Sequence, residues 1–167
     1  YIYEVDVSVI NERKIKFDKD ITVVQNTIYN YTPTGIQKLK TRPIIVGSGP
    51  AGLFCAYELS KKGYKPLVIE RGEDMDNRIK TVNKFWEKNI LNENSNVQFG
   101  EGGAGTFSDG KLSTQIKDKN NRIKEVLNTF VEFGAPEEIT YDFMPHIGTN
   151  KLIDVVKNMR NKIIELG

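Results

Sequence analysis

With 167 residues, 38% of them hydrophobic and 28% charged, the chain has the composition of a folded globular domain and not of a disordered segment. Its 24 basic and 22 acidic residues leave a net charge of +2, too weak a field to favour nucleic acid as a partner. The single Cys55 excludes an intrachain disulfide or a cysteine metal cluster, and no apolar run reaches the roughly 18 residues of a membrane span, so a cytoplasmic protein with no membrane partner is expected.

Residues 1 to 9 alternate, with Tyr1, Tyr3, Val5, Val7 and Val9 on one face and Glu4, Asp6 and Ser8 on the other. That period predicts a half-buried strand. Lys14 to Phe17, Ile21 to Val24 and Thr27 to Tyr31 predict further short strands, antiparallel to one another and separate from any parallel sheet. A linker over residues 32–42 follows, marked by Pro33 and Gly35; its basic run Lys38 to Arg42 reads as solvated.

At Pro43 the pattern changes. Ile44-Ile45-Val46 is a continuous apolar strand of the kind buried on both faces of a parallel sheet. A helix is predicted from about Pro50 to Lys62, offering Leu53, Phe54, Tyr57 and Leu59 for packing and Cys55 as a buried structural thiol. Gly63 is placed to end it, and Pro66 to Ile69 form a second strand, completing a βαβ unit. Further helices are predicted over Met75 to Lys88, with Ile79, Val82, Phe85 and Trp86 on one stripe, from about Arg122 to Phe133, and from about Lys151 to Leu166. Thr149 or Asn150 is the expected N-cap of the last.

Gly47-Ser48-Gly49-Pro50-Ala51-Gly52 fits G-x-G-x-x-G between an apolar strand and a helix, the setting that gives the motif its meaning. Gly47 would allow the tight turn, Gly49 the approach of a pyrophosphate to the backbone, and Gly52 close helix–strand packing. The anion would sit on unpaired N–H groups at the positive end of the helix dipole. Glu70 closes the second strand, matching the acid expected about 20 residues on to accept from a ribose hydroxyl. The unit by itself leaves NAD and FAD equally open.

Ile69-Glu70-Arg71-Gly72 resembles the Glu-Arg-Gly signature of the glutathione reductase-like FAD-binding superfamily. The stretch from Ser95 through Gly102-Gly103-Ala104-Gly105-Thr106 to Leu112 is more specific. With Phe85-Trp86 before it and Pro145 to Thr149 after it, it resembles the family of FAD-dependent, NAD-utilising dehydrogenases. The resemblance covers nearly the whole chain. It implies an α/β, Rossmann-type FAD-binding domain with a partial parallel sheet, preceded by short antiparallel strands. It also implies FAD held by Gly47 to Gly52, Glu70 and Arg71, with NAD(P)H as an electron donor. Residues 1–31 would be the β-rich tail of a preceding small domain, and 43–167 the N-terminal part of the FAD domain.

The glycine-dense stretch, read from its residues, either lets backbone N–H groups approach a cofactor or is a mobile surface loop; Phe99 and Phe107 favour the first. On that reading Gly102, Gly103, Ala104, Gly105 and Thr106 join the cofactor site, and the loop is expected to be poorly ordered without its ligand. His146, between Pro145 and Ile147, reads as structural, Lys111 and Asp109 as solvated as readily as flavin-facing, and no catalytic residue is assigned. The function expected is that of an FAD-dependent oxidoreductase acting on a small molecule whose identity cannot be read. The alternatives are an NAD(P)-binding dehydrogenase domain and a non-catalytic nucleotide-binding module or sensor. In the superfamily resembled, later strands flank both the first strand and Leu67 to Ile69, so the chain is expected to be an inactive fragment whose open strand edges pair between chains or are covered by the N-terminal strands.

Overall fold

The computed structural model of the protein describes residues 2–24, 28–31 and 35–167. It is an α/β fold with two parallel strands and four helices: β1 (Ile44–Val46), α1 (Pro50–Lys61), β2 (Leu67–Ile69), α2 (Met75–Lys88), α3 (Arg122–Glu132) and α4 (Thr149–Glu165). Short 3₁₀ turns occupy Glu12–Lys14, Ala104–Phe107 and Glu137–Thr140.

The strands pair in register Ile44 to Leu67, Ile45 to Val68 and Val46 to Ile69. Hydrogen bonds from the Leu67 amide to the Pro43 carbonyl (2.8 Å) and from the Gly47 amide to the Ile69 carbonyl (2.7 Å) bracket the ladder. Alternation along β2 then turns the Val68 amide and carbonyl to its outer edge.

Helix α1 lies on one face of the sheet, where Ile45 and Val68 are half-buried against the core. Leu53, Ala56 and Tyr57 of α1 meet Val155, Val156, Met159 and Ile163 of α4, and Met75 of α2 closes the cluster. Helix α3 adds two edge-on aromatic contacts, Phe54 with Phe130 at 5.3 Å and Tyr57 with Phe133 at 5.0 Å. The Tyr57 hydroxyl donates to Glu132 at 2.7 Å, and burial followed by that carboxylate pushes the phenol well above its ordinary pKa.

The helix ends follow local chemistry. Pro50 opens α1, and Gly63 at φ +77° lets the chain turn back so that the Tyr64 amide reaches the Leu59 carbonyl. Asp74 caps α2, accepting from the Asp76 and Asn77 amides at 3.0 and 3.1 Å, and Asn89 ends it in the left-handed region. Gly148, at φ +84°, is the N-cap of α4, in place of the Thr149 or Asn150 expected there. The Thr149 hydroxyl instead donates to the Ser108 carbonyl.

Three expectations are corrected. The described residues of 1–31 form no strand; their only regular element is the turn Glu12–Lys14. Tyr1 and Thr27 lie outside the described residues. Val5 and Val7 are exposed, because an alternating segment becomes a half-buried strand only when it lies against a surface to cover. The parallel strands are not buried on both faces. Ile44 and Val46 are 64% and 84% exposed and Leu67 and Ile69 nearly half so, since no described element covers the face away from α1. Cys55 is exposed, not buried: α1 turns Leu53, Ala56, Tyr57 and Ser60 inward and Cys55 out.

Among the described residues no helix is long and apolar enough to cross a membrane, and no group of histidine, cysteine or acidic side chains is placed to hold a metal.

Candidate functional site

The three glycines of the phosphate loop differ in what the chain asks of them. Gly47 sits at φ +96°, a conformation that L residues rarely adopt. A β-carbon on Gly52 would overlap the Gly47 carbonyl oxygen, so glycine there is what lets α1 lie against the turn. Gly49 has extended backbone, φ −68° and ψ −177°, and a β-carbon on it would meet no protein atom. Among the described residues nothing requires glycine at 49.

The first intrahelical bond of α1 is donated by the Leu53 amide to the Gly49 carbonyl at 2.9 Å. Among the described residues no acceptor pairs with the amides of Gly49, Ala51 and Gly52, and Pro50 has none to offer. Three unpaired donors therefore stand at the positive end of a helix dipole.

Glu70 lies beside this loop. One carboxylate oxygen accepts from the Ser48 amide (2.7 Å) and hydroxyl (2.9 Å), the other from the Gly72 amide (2.8 Å). Burial alone would raise this carboxyl; the hydrogen bonds from Ser48 and Gly72 outweigh it and hold the group below the usual carboxylate range. Glu70 is thus ionised at neutral pH and fixes the loop, with acceptor capacity left on its oxygens. Arg71 points outward and stacks its guanidinium over Phe99, 4.8 Å from the ring centre.

The second glycine segment folds directly onto the first. The Gly102 amide donates to the Ser48 carbonyl at 2.8 Å. A β-carbon on Gly103 would meet Pro50 at 3.1 Å and Gly49 at 3.4 Å. Gly105, like Gly49, has neither a left-handed φ nor a neighbour in the direction of a β-carbon. Ala104 and Gly105 are exposed in the 3₁₀ turn, whereas Thr106 is fully buried beneath it with its hydroxyl lacking a hydrogen-bond partner.

The loop's far end is also pinned. Leu112 and Ile147 donate to the Pro145 and Gly110 carbonyls at 2.9 and 3.1 Å, bridging Lys111 to His146. His146 takes part through its backbone, its side chain being exposed, and Lys111 pairs with Asp109 at 3.0 Å in solvent.

Residues 45–94 match the NAD(P)-binding Rossmann-like domain family. An uncharacterized protein of Clostridium beijerinckii is 52% identical over 150 residues, which cover 90% of this chain and 28% of that protein. A thiamine thiazole synthase of Saccharolobus islandicus is 38% identical over 60 residues, 36% of this chain and 22% of that protein. The chain spans less than a third of the length of these relatives. The matched segment begins in β1 and includes the phosphate loop, α1, β2, Glu70 and α2.

Two side chains outside the sequence-based site hold it together. Arg78 of α2 is fully buried and donates to carbonyls along residues 96–103. Glu101, 4% exposed, accepts from the Met75 amide and from Arg160 of α4 at 2.8 Å. Burial raises the Glu101 carboxyl against the opposing pull of the Met75 amide and Arg160. Side chains of α2 and α4 thus anchor the loop from within. The available sign of Arg78 was its place in the sequence: a charged residue within the apolar stripe of Met75, Ile79 and Val82.

Two cavities border the site. An open groove of 440 Å³ runs from Ser48 and Glu70 along Val68 to Ile163 and Ile164 of α4. A second cavity of 240 Å³ lies between Pro50 and Phe54 of α1, Gly102 to Leu112, and Phe130 and Met159.

Proposed function

We propose that this chain supplies the adenosine- and pyrophosphate-binding part of an FAD site, and that the whole protein is an FAD-dependent oxidoreductase. The observation that carries the reading is the position of Gly49 and Gly105. Other glycines around the site are accounted for by a left-handed φ or by a neighbour in the β-carbon's place, but these two are not. Glycine at such a position serves a ligand whose atoms approach the backbone from outside. Both belong to the two loops that meet here, beside three unpaired amides and an ionised glutamate, a donor and acceptor set suited to a pyrophosphate and a ribose.

Gly47 to Gly52 would hold the pyrophosphate, Glu70 the ribose, and Gly102 to Thr106 would line the cofactor on its second side, with the buried Thr106 supporting the turn from below. Arg71, braced on Phe99, would bound the site at the end of β2. The Glu-Arg-Gly signature and the second glycine loop favour FAD over NAD(P) as the resident dinucleotide, with NAD(P)H as the electron donor. A bound flavin would supply hydride or electron transfer; the chain's share is to bind, orient and tune it.

The absorption spectrum of the purified full-length protein tests this. A flavin band that bleaches on adding NADH under anaerobic conditions is expected. A colourless protein that binds NAD(P)H alone would assign the site to the nicotinamide cofactor. A retained flavin that no reductant bleaches would make the protein a passive binder.

A further inference from the structure

We propose that Arg78 is a positioning residue of the dinucleotide site, setting the peptide planes of the second glycine loop before any ligand arrives; this rests on the reading of that site given above. Arg78 is completely buried in α2, yet among the described residues it faces no carboxylate within salt-bridge distance. Its guanidinium donates instead to backbone carbonyls: Asn96 at 3.0 Å, Val97 at 3.1 Å, Glu101, Gly103 at 2.9 Å and, more weakly, Gly100 at 3.3 Å. Its guanidinium carbon lies over the Phe107 ring, 4.8 Å from the ring centre, so the loop closes around the cation from both ends. A β-carbon on Gly100 would strike the Arg78 side chain, which makes glycine there a condition of the cage.

A trans peptide sends its C=O and the following N–H in opposite directions. Each carbonyl turned in to Arg78 therefore turns the next amide out. The Glu101 carbonyl faces Arg78, and the Gly102 amide correspondingly reaches the Ser48 carbonyl of the phosphate loop. The Gly103 carbonyl faces Arg78, and the Ala104 amide is turned away from it, in the segment packed on Gly49 and Pro50. An always-charged planar donor with five N–H groups is suited to several carbonyls at once; lysine offers one point charge and three donors. Burial works against the charge on Arg78, while Glu70 and Glu101 support it electrostatically.

The test uses the full-length protein, wild type and with Arg78→Lys or Arg78→Met, titrated with FAD below the unfolding temperature of each. Both variants should weaken FAD binding by about tenfold or more, and the ³¹P resonances of bound FAD should shift in Arg78→Lys, which a loss of stability alone would not produce. Wild-type affinity and unchanged ³¹P resonances in both variants would overturn the proposal while leaving the site reading intact. Should neither variant fold, hydrogen exchange of the wild type without FAD decides: the paired amides of Glu101, Gly102 and Gly103 should be protected as well as those of α2, and free exchange there would overturn it. A wild type that binds no dinucleotide would instead defeat the site reading, whatever the exchange shows.

Discussion

Glu70 carries two duties at once, and they can be separated by substitution. Its carboxylate accepts three hydrogen bonds that hold the turn of the phosphate loop to the end of β2. Glutamine keeps the shape but presents an NH₂ group where an acceptor is needed, opposite either Ser48 or the Gly72 amide. Glu70→Gln should therefore cost about 1–2 kcal/mol of stability at pH 7, read by urea unfolding. The pH dependence has a definite sign. The folded carboxyl titrates below the unfolded one, so the unfolded chain takes up the proton first as the pH falls. The contribution is complete above the ordinary glutamate range near pH 4.3 and is lost as the pH falls through and below it. The gap between wild type and Glu70→Gln should accordingly narrow as the pH falls below the ordinary glutamate range; a gap that stays constant on acidification would show that ionisation of Glu70 is not what holds the loop.

Among the elements, α2 shows how a local signal sets geometry at a distance. Asp74 fixes the start of the helix, and the start fixes where Arg78 meets the glycine loop, one turn later. Asp74→Ala removes the cap and should cost about 1 kcal/mol, a fall in melting temperature of about 2–4 °C for a chain of this size. A variant that melts with the wild type would mean that Asp74 contributes nothing as a cap. The bounds of α2 were legible from its apolar stripe, and the Asp74 cap and the left-handed Asn89 seen in the structure agree with them. The same holds for β1, the phosphate loop, α1 and β2, where strand, glycines and the acid at Glu70 point one way. What the sequence hid depends on partners. Alternation over Tyr3 to Val9 shows a capacity for pairing, and whether pairing occurs is decided by residues elsewhere. Arg78 was hidden for the opposite reason: a charge within an apolar stripe reads as an interruption until the carbonyls around it are seen. Cys55, among apolar neighbours in sequence, faces solvent because a helix buries one side and not one stretch.

At the scale of the molecule, helices α1 and α4 build a core on one face of a two-stranded sheet, and among the described residues no element covers the other face or pairs with the outer edge of β2. The two glycine loops meet at the carboxyl end of these strands, where open α/β sheets take their ligands. The central claim is that this junction binds a dinucleotide through the phosphate loop. Titration of the flavin-free full-length protein with FAD, comparing wild type, Gly49→Val and Cys55→Ser, tests it most directly. A side chain at 49 meets no protein atom at its β-carbon, so Gly49→Val should fold and melt close to the wild type and yet lose FAD binding by at least about a hundredfold, a difference of about 2.7 kcal/mol. Cys55→Ser, on the exposed side of α1, should bind as the wild type does. Equal affinity of Gly49→Val and wild type, with the fold intact in both, would contradict the account.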